Sequence, residues 1–121
     1  MTDAGGQDCV FCRISRHEAP AEYLYEDETV FVIKDRFPKA PVHLLLIPRK
    51  HIARIDALST ADDGLIVHLF EVVRFIAAKY HLETGYRVII NSGAEGGQTV
   101  QHLHVHIIAG RCLGFREDGT L

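Results

Sequence analysis

Tryptophan is absent from this chain and methionine occurs once in 121 residues. Neither the indole anchors of a membrane interface nor a methionine-rich adaptive surface is available. Long hydrophobic runs are missing too. The longest wholly aliphatic stretch is Leu44 to Ile47, far below the roughly 20 residues that span a bilayer. Residues 1 to 8 carry neither the basic region nor the apolar run of a secretory leader, and the expectation is a cytoplasmic protein with no membrane partner. Three cysteines, Cys9, Cys12 and the solitary Cys112, do not make a secreted disulfide framework. A close pair in a cytosolic chain is metal-binding or redox-active. Basic residues are outnumbered, 13 against 16 acidic, so the electrostatic footprint of a nucleic-acid polymer partner is lacking.

What remains is 47% hydrophobic, the composition of a globular domain large enough to hold a core without staples. Residues 1–8 read as a flexible tail, 9–111 as one domain and 112–121 as a second tail. After the Cys9-Val10-Phe11-Cys12 knuckle comes a short polar turn or helix reaching about His17, which Pro20 ends. Glu22 to Glu26 and Thr29 to Lys34 are rich in aromatic and β-branched residues and read as an antiparallel hairpin. Pro38 and Pro41 interrupt the pattern, and His43 to Ile47 resumes as a strand. Ser59 or Thr60, each with an aspartate three residues on, opens a helix whose apolar positions Leu65, Leu69, Val72, Val73 and Ile76 carry it to about Tyr80. Phe70 and Phe75 lie beside that stripe and suggest a second burial surface. Val88 to Asn91 is a further strand, Ser92 to Thr99 a glycine-rich loop, and His102 to Ala109 a last strand. This pattern predicts an α+β domain with an antiparallel sheet.

The last strand carries the chemistry. His102, His104 and His106 alternate with Leu103, Val105 and Ile107, and a period of two sets three imidazoles on one face and three aliphatic side chains on the other. Imidazole is largely neutral yet easily protonated near pH 7, which suits nucleophilic attack and proton handling. A single metal ion bound by all three is excluded, because His102 and His106 would lie about 13 Å apart in a strand. Two adjacent histidines remain able to chelate together.

His102-Leu103-His104-Val105-His106-Ile107-Ile108, together with Asn91 to Val100 and Ala40 to His51, resembles the histidine-triad (HIT) family, in particular its nucleotide-binding branch. The resemblance covers Cys9 to about Arg111. It implies a five-stranded antiparallel sheet with one long and one short helix, and sheets joined across a homodimer. It implies a purine nucleoside phosphoramidate hydrolase working through a covalent nucleotidyl-histidine. The alternatives are a dinucleoside polyphosphate hydrolase or nucleotidyl transferase of the same family, a nucleotide-binding regulatory module with little turnover, and a zinc hydrolase using paired histidines.

His104 matches the family's nucleophile, and His106 and His43 match its helpers. Asp35 and Asn91 match residues near the ribose and phosphate, and Gly97, Gln98 and Thr99 belong to the loop that donates to phosphate and leaving group, with Thr99 where serine is usual. Phe11, Ile14, Ile33 and Arg36 would flank the base. Cys9, Cys12, His51 and His102 match a structural zinc site of bacterial-type members. Phe115 stands where many members have tryptophan, followed by Arg116-Glu117-Asp118 where prolines are frequent.

Overall fold

The computed structural model describes residues 9–114; both expected tails fall outside them in whole or in large part, and with them the Phe115 to Asp118 comparison. Five strands, β1 (Tyr23–Glu26), β2 (Val30–Lys34), β3 (Val42–Pro48), β4 (Tyr86–Ile89) and β5 (Val105–Ala109), form one sheet. Their order is β1-β2-β3-β5-β4 and every pairing is antiparallel. A short helix α1 (Val10–Ser15) precedes the sheet, and the long helix α2 (Asp63–Lys79) crosses over between β3 and β4. Among the described residues no helix is long and apolar enough to cross a membrane.

The two faces of the sheet do different work. Val30, Val32, Leu44, Leu46, Val105 and Ile107 point to one side and bury Leu69, Val72, Val73 and Ile76 of α2. Phe31, Ile33, Leu45 and Ile47, one residue out of phase, point to the other side and bury Phe11, Cys12 and Ile14 of α1. Because side chains alternate, neighbouring residues of β2 and β3 hold opposite helices. The central strands are apolar on both faces for that reason.

Helix α2 begins as its sequence predicts. Asp62 accepts from the Ser59 amide at 3.0 Å and closes a capping box. The first turn is 3-10, Thr60–Asp62, and Tyr80 is the C-cap. Phe75 and Phe70 do not share a surface. Phe75 packs against the Tyr25 ring at 5.3 Å beneath Lys79, while Phe70, about 140° further round the helix, is exposed.

Two boundaries differ from the sequence reading. β4 runs two residues earlier than Val88 to Asn91, because Gly85 takes φ +131 and Tyr86 at once pairs with Ala109. The final strand starts at Val105, so of the three histidines only His106 is in a strand. Continued past Leu46 and Val105, the β3–β5 register would set Ile47 opposite His104 and then Pro48, which has no N–H to give, opposite Leu103. Leu103 N–H turns instead to Ile52 O at 2.6 Å, and His102 leaves the row.

A polar clasp fastens α2 to the β1–β2 turn. His68 Nε2 meets Asp27 Oδ2 at 2.7 Å and its Nδ1 meets Glu71 at 2.9 Å. These bonds, Glu71 first, raise the His68 pKa above its usual 6.5. Burial alone would raise the Asp27 carboxyl, yet bonds from Tyr25, His68 and the amides of Thr29 and Val30 outweigh it and hold it well below the carboxylate range. A raised histidine pKa contributes stability that is complete below the unfolded value and fades as pH climbs through the folded one; a depressed carboxyl contributes above its own unfolded value. The clasp is therefore strongest between the carboxylate range and 6.5. The denaturation midpoint of wild type should exceed that of His68→Gln most near about pH 6 and much less near about pH 9; an equal gap at both would count against the clasp.

Candidate active site and metal cluster

β3 and β5 lie side by side with His43 opposite Ile108 and His106 opposite Leu45, so both imidazoles project from the face that does not carry α2. His43 Nε2 and His106 Nδ1 are 2.9 Å apart. The His104 ring stands 5.0 Å from that of His106 and touches Phe11 edge-on at 5.1 Å.

The proton positions follow from fixed backbone partners. His104 Nδ1 is 2.7 Å from His102 O. A carbonyl only accepts, so Nδ1 carries the hydrogen and Nε2 keeps its lone pair. At His43 the arrangement is reversed: Lys39 N–H donates to Nδ1 at 3.0 Å, so the hydrogen sits on Nε2 and is given to His106 Nδ1. His106 is then protonated on Nε2. Burial, followed by the charges of His104 and His43, pushes His106 down to about 4. Burial also lowers His43 and His104. All three imidazoles are neutral near pH 7, one offering a lone pair and the next a donor.

Two clefts of about 600 and 580 Å³ meet at this point, sharing Asp35, Phe37, Thr99, His104 and His106. One is the more polar of the two, with Lys39, Asn91, Glu95 and Gly97 in its wall. The other is mainly apolar, lined by Val10, Phe11, Ile14, Ile33 and Leu45, with Arg36 also in its wall.

Behind His104 lies a second cluster. The ligand atoms of Cys9, Cys12, His51 and His102 all fall within 4.8 Å of one another. Cys9 Sγ and His102 Nδ1 are 3.3 Å apart, Cys12 Sγ and His51 Nδ1 3.3 Å, and Cys12 Sγ and His102 Nδ1 3.6 Å. A tetrahedron with bonds of about 2.1–2.3 Å has edges of about 3.4–3.8 Å, so four such atoms fit a zinc-sized ion. His102 Nε2–H donates to Pro48 O at 2.7 Å, which puts the ring hydrogen on Nε2 and turns the Nδ1 lone pair toward the two sulfurs, as an outer acceptor does for a metal-binding histidine. Burial pushes the Cys9 thiol up, the cost that a bound cation offsets. Asp35, His43 and His106 also bring ligand atoms together, but Lys39 N–H occupies His43 Nδ1 and so holds the hydrogen on the nitrogen a metal would need. Backbone partners make one cluster suited to a cation and the other to hydrogen-bond donation.

The family described as scavenger mRNA decapping enzyme C-term binding matches residues 8–114. The chain belongs to the histidine-triad family. An uncharacterized HIT-like protein of Chlamydia muridarum is 42% identical over 113 residues, covering 93% of this chain and 90% of its own. A HIT family hydrolase from Legionella pneumophila superposes with TM-score 0.87 at 38% identity, covering 89% and 97%. A histidine triad protein from Clostridium difficile gives 0.88 at 38%, covering 97% and 100%. A zinc-bound histidine triad family protein from Mycobacterium smegmatis gives 0.74 at 31%, covering 88% and 78%.

Not every expected contact of this histidine-triad chain is brought to the clefts. Gln98 is buried and its amide is committed to backbone: Oε1 accepts from Gly93 N–H at 2.8 Å, and Nε2 donates to Ala53 O at 2.7 Å and Val100 O at 2.9 Å. It shapes the loop from behind rather than donating to a phosphate. Asn91 Nδ2 likewise spans to Gly96 O at 2.8 Å, yet Asn91 still lines the polar cleft. Gly97 takes φ +87 and lies in the same wall, a conformation that side chains rarely adopt. The sequence reading missed Lys39, whose main chain sets the His43 tautomer, and Phe37, which both clefts share. The only signal was the proline-bracketed run from Pro38 to Pro41, a turn whose amide directions no pattern reveals.

Proposed function

We propose that this protein hydrolyses purine nucleoside phosphoramidates through a nucleotidyl group on His104. The observation that carries the reading is the bond from His104 Nδ1–H to His102 O, which leaves Nε2 as a fixed lone pair where an apolar and a polar cleft meet. The base fits the apolar cleft between Phe11, Ile14 and Ile33, and the phosphate and leaving group fit the polar one. Asp35, at the junction, suits the ribose hydroxyls. His104 Nε2 forms a bond to the α-phosphorus as the P–N bond breaks. The electron pair leaves with the nitrogen, which departs as neutral amine when it enters protonated. His106 Nε2–H and Thr99 donate to the phosphoryl oxygens, the kind of preorganised donation that contributes most to such reactions. Water then attacks the same phosphorus, the P–Nε2 bond breaks, the nucleotide leaves and one water proton passes to solvent. Lys39 in the polar cleft favours dinucleoside polyphosphates as the second reading.

Zinc at Cys9, Cys12, His51 and His102 is the proposed structural ion. With four protein ligands it has no open position for a catalytic water, so its contribution is to hold α1 against the segment that precedes β5. A homodimer is proposed through β4, which pairs with β5 alone and exposes Tyr86 and Val88, while α2 exposes Phe70. A free edge with apolar neighbours is a surface that a symmetric copy can cover.

His104→Ala should lose turnover of adenosine 5′-phosphoramidate by about a thousandfold or more while nucleotide affinity stays within about tenfold. Wild type quenched under denaturing alkaline conditions should carry the nucleotidyl group on His104; an adduct on another histidine would overturn the assignment, and preference for diadenosine polyphosphates would select the second reading. Metal analysis should find about one zinc per chain, with chelation or Cys12→Ser lowering the melting temperature by several degrees. Metal-free protein of unchanged stability would rule out a structural ion. Sedimentation at low micromolar concentration should give twice the 13.6 kDa chain mass, and a monomer alone would remove the dimer.

A further inference from the structure

Asp35 stands at the end of β2 with its two oxygens in separate tasks. Oδ1 accepts the Phe37 N–H at 2.8 Å, closing the turn that leads into the Pro38–Pro41 loop. That loop brings Lys39 N–H onto His43 Nδ1 at 3.0 Å. Oδ2 lies 3.3 Å from His43 Nε2, on the same nitrogen that donates to His106 at 2.9 Å. Asp35 N–H in turn donates to His43 O at 3.0 Å, so β2 and the start of β3 are tied together here. The His43 side chain is 3% exposed and that of Asp35 19%, leaving little room for water to replace either contact.

We infer that Asp35 is a positioning residue for the imidazole pair: one oxygen builds the loop that fixes the proton of His43 on Nε2, and the other holds that N–H edge so that His106 presents its own Nε2–H to the substrate. The inference deepens the phosphoramidase reading and rests on it for the reaction, but not for the tautomer. It gives Asp35 a task besides the ribose contact, and the two are separable. Asp35→Asn keeps an acceptor for Phe37 N–H, yet whenever the amide oxygen takes that role the amide nitrogen turns N–H groups toward the N–H of His43. Two donors face each other, and His43 must turn away or move its proton to Nδ1 at the expense of the Lys39 bond. The anion matters as well as the shape, since the charge of Asp35 opposes burial at His43 and His106.

The test has two arms. Nitrogen-15 NMR of histidine-labelled, zinc-loaded protein without nucleotide should show wild-type His43 protonated on Nε2 and accepting at Nδ1; in Asp35→Asn that signature should be lost. In the second arm, wild type and Asp35→Asn are compared on adenosine 5′-phosphoramidate and on its 2′,3′-dideoxy analogue, which offers no ribose hydroxyl. Asp35→Asn should lower kcat at least tenfold on both, with the change in KM confined to the ribose substrate. A loss of kcat that disappears on the dideoxy analogue means that Asp35 acts through ribose alone and overturns the inference. Wild-type His43 protonated on Nδ1 overturns it too, even if the variant fails to fold. A wild-type enzyme inert toward both substrates strikes the phosphoramidase reading instead, and the tautomer arm then decides the inference alone.

Discussion

Three bonds meet at His102, and the organisation of the site hangs on them. Nδ1 faces the sulfurs of Cys9 and Cys12, Nε2–H is given to Pro48 O, and the main-chain carbonyl receives Nδ1–H of His104. One residue thus joins the N-terminal knuckle, the end of β3 and the His104 ring. The residue is fully buried, so each bond lacks competition from water and is costly to leave unmade. Phe11 reinforces the link from the other side. It lies between the two cysteines in sequence and sets its ring against both His102 and His104. Moving the knuckle would therefore move His104.

The sheet makes this arrangement affordable. Its helix-facing side is a continuous apolar layer over α2, which supplies the burial that stabilises the domain. The opposite side can then spend positions on histidines, a carboxylate and an unzipped ladder end. Arg49 braces that side by donating to Ser15 O, Asp27 O and Glu26. The end of α1 and the β1–β2 turn are held by one guanidinium whose planar fork suits several acceptors at once.

The fold was legible in the sequence because its signals are local. The aromatic and β-branched run of β2, the aliphatic run of β3, the Ser59–Asp62 box and the apolar stripe of α2 each concern residues within a turn or two of one another, and the structure keeps them. The alternation of His102, His104 and His106 was equally local and yet misled in part. Whether a strand continues depends on its partner, and Pro48, 54 positions away from His102, withholds the N–H that would have extended it. Gln98 illustrates the same limit. Its place in a glycine-rich loop beside the histidines suggests a ligand contact, but its amide is consumed by Gly93, Ala53 and Val100. Residue type and spacing mark which groups can do chemistry; which partner takes each hydrogen is settled by chain segments far apart.

That distinction separates the two histidine clusters. Both bring imidazoles to hydrogen-bond distance from other potential ligands, and on residue types alone either would be a metal candidate. Main-chain groups divide them. The Pro48 carbonyl takes the far hydrogen of His102 and turns its near nitrogen toward the sulfurs, whereas the Lys39 amide takes the far lone pair of His43 and commits its near nitrogen to donation. Exchanging carbonyl for amide would exchange the chemistry. Neither polar group depends on a side chain of the residue that supplies it: Pro48 acts through a carbonyl that every residue has and Lys39 through an N–H that proline alone lacks, and they reach the imidazoles where a ladder ends at one proline and a loop turns between two others.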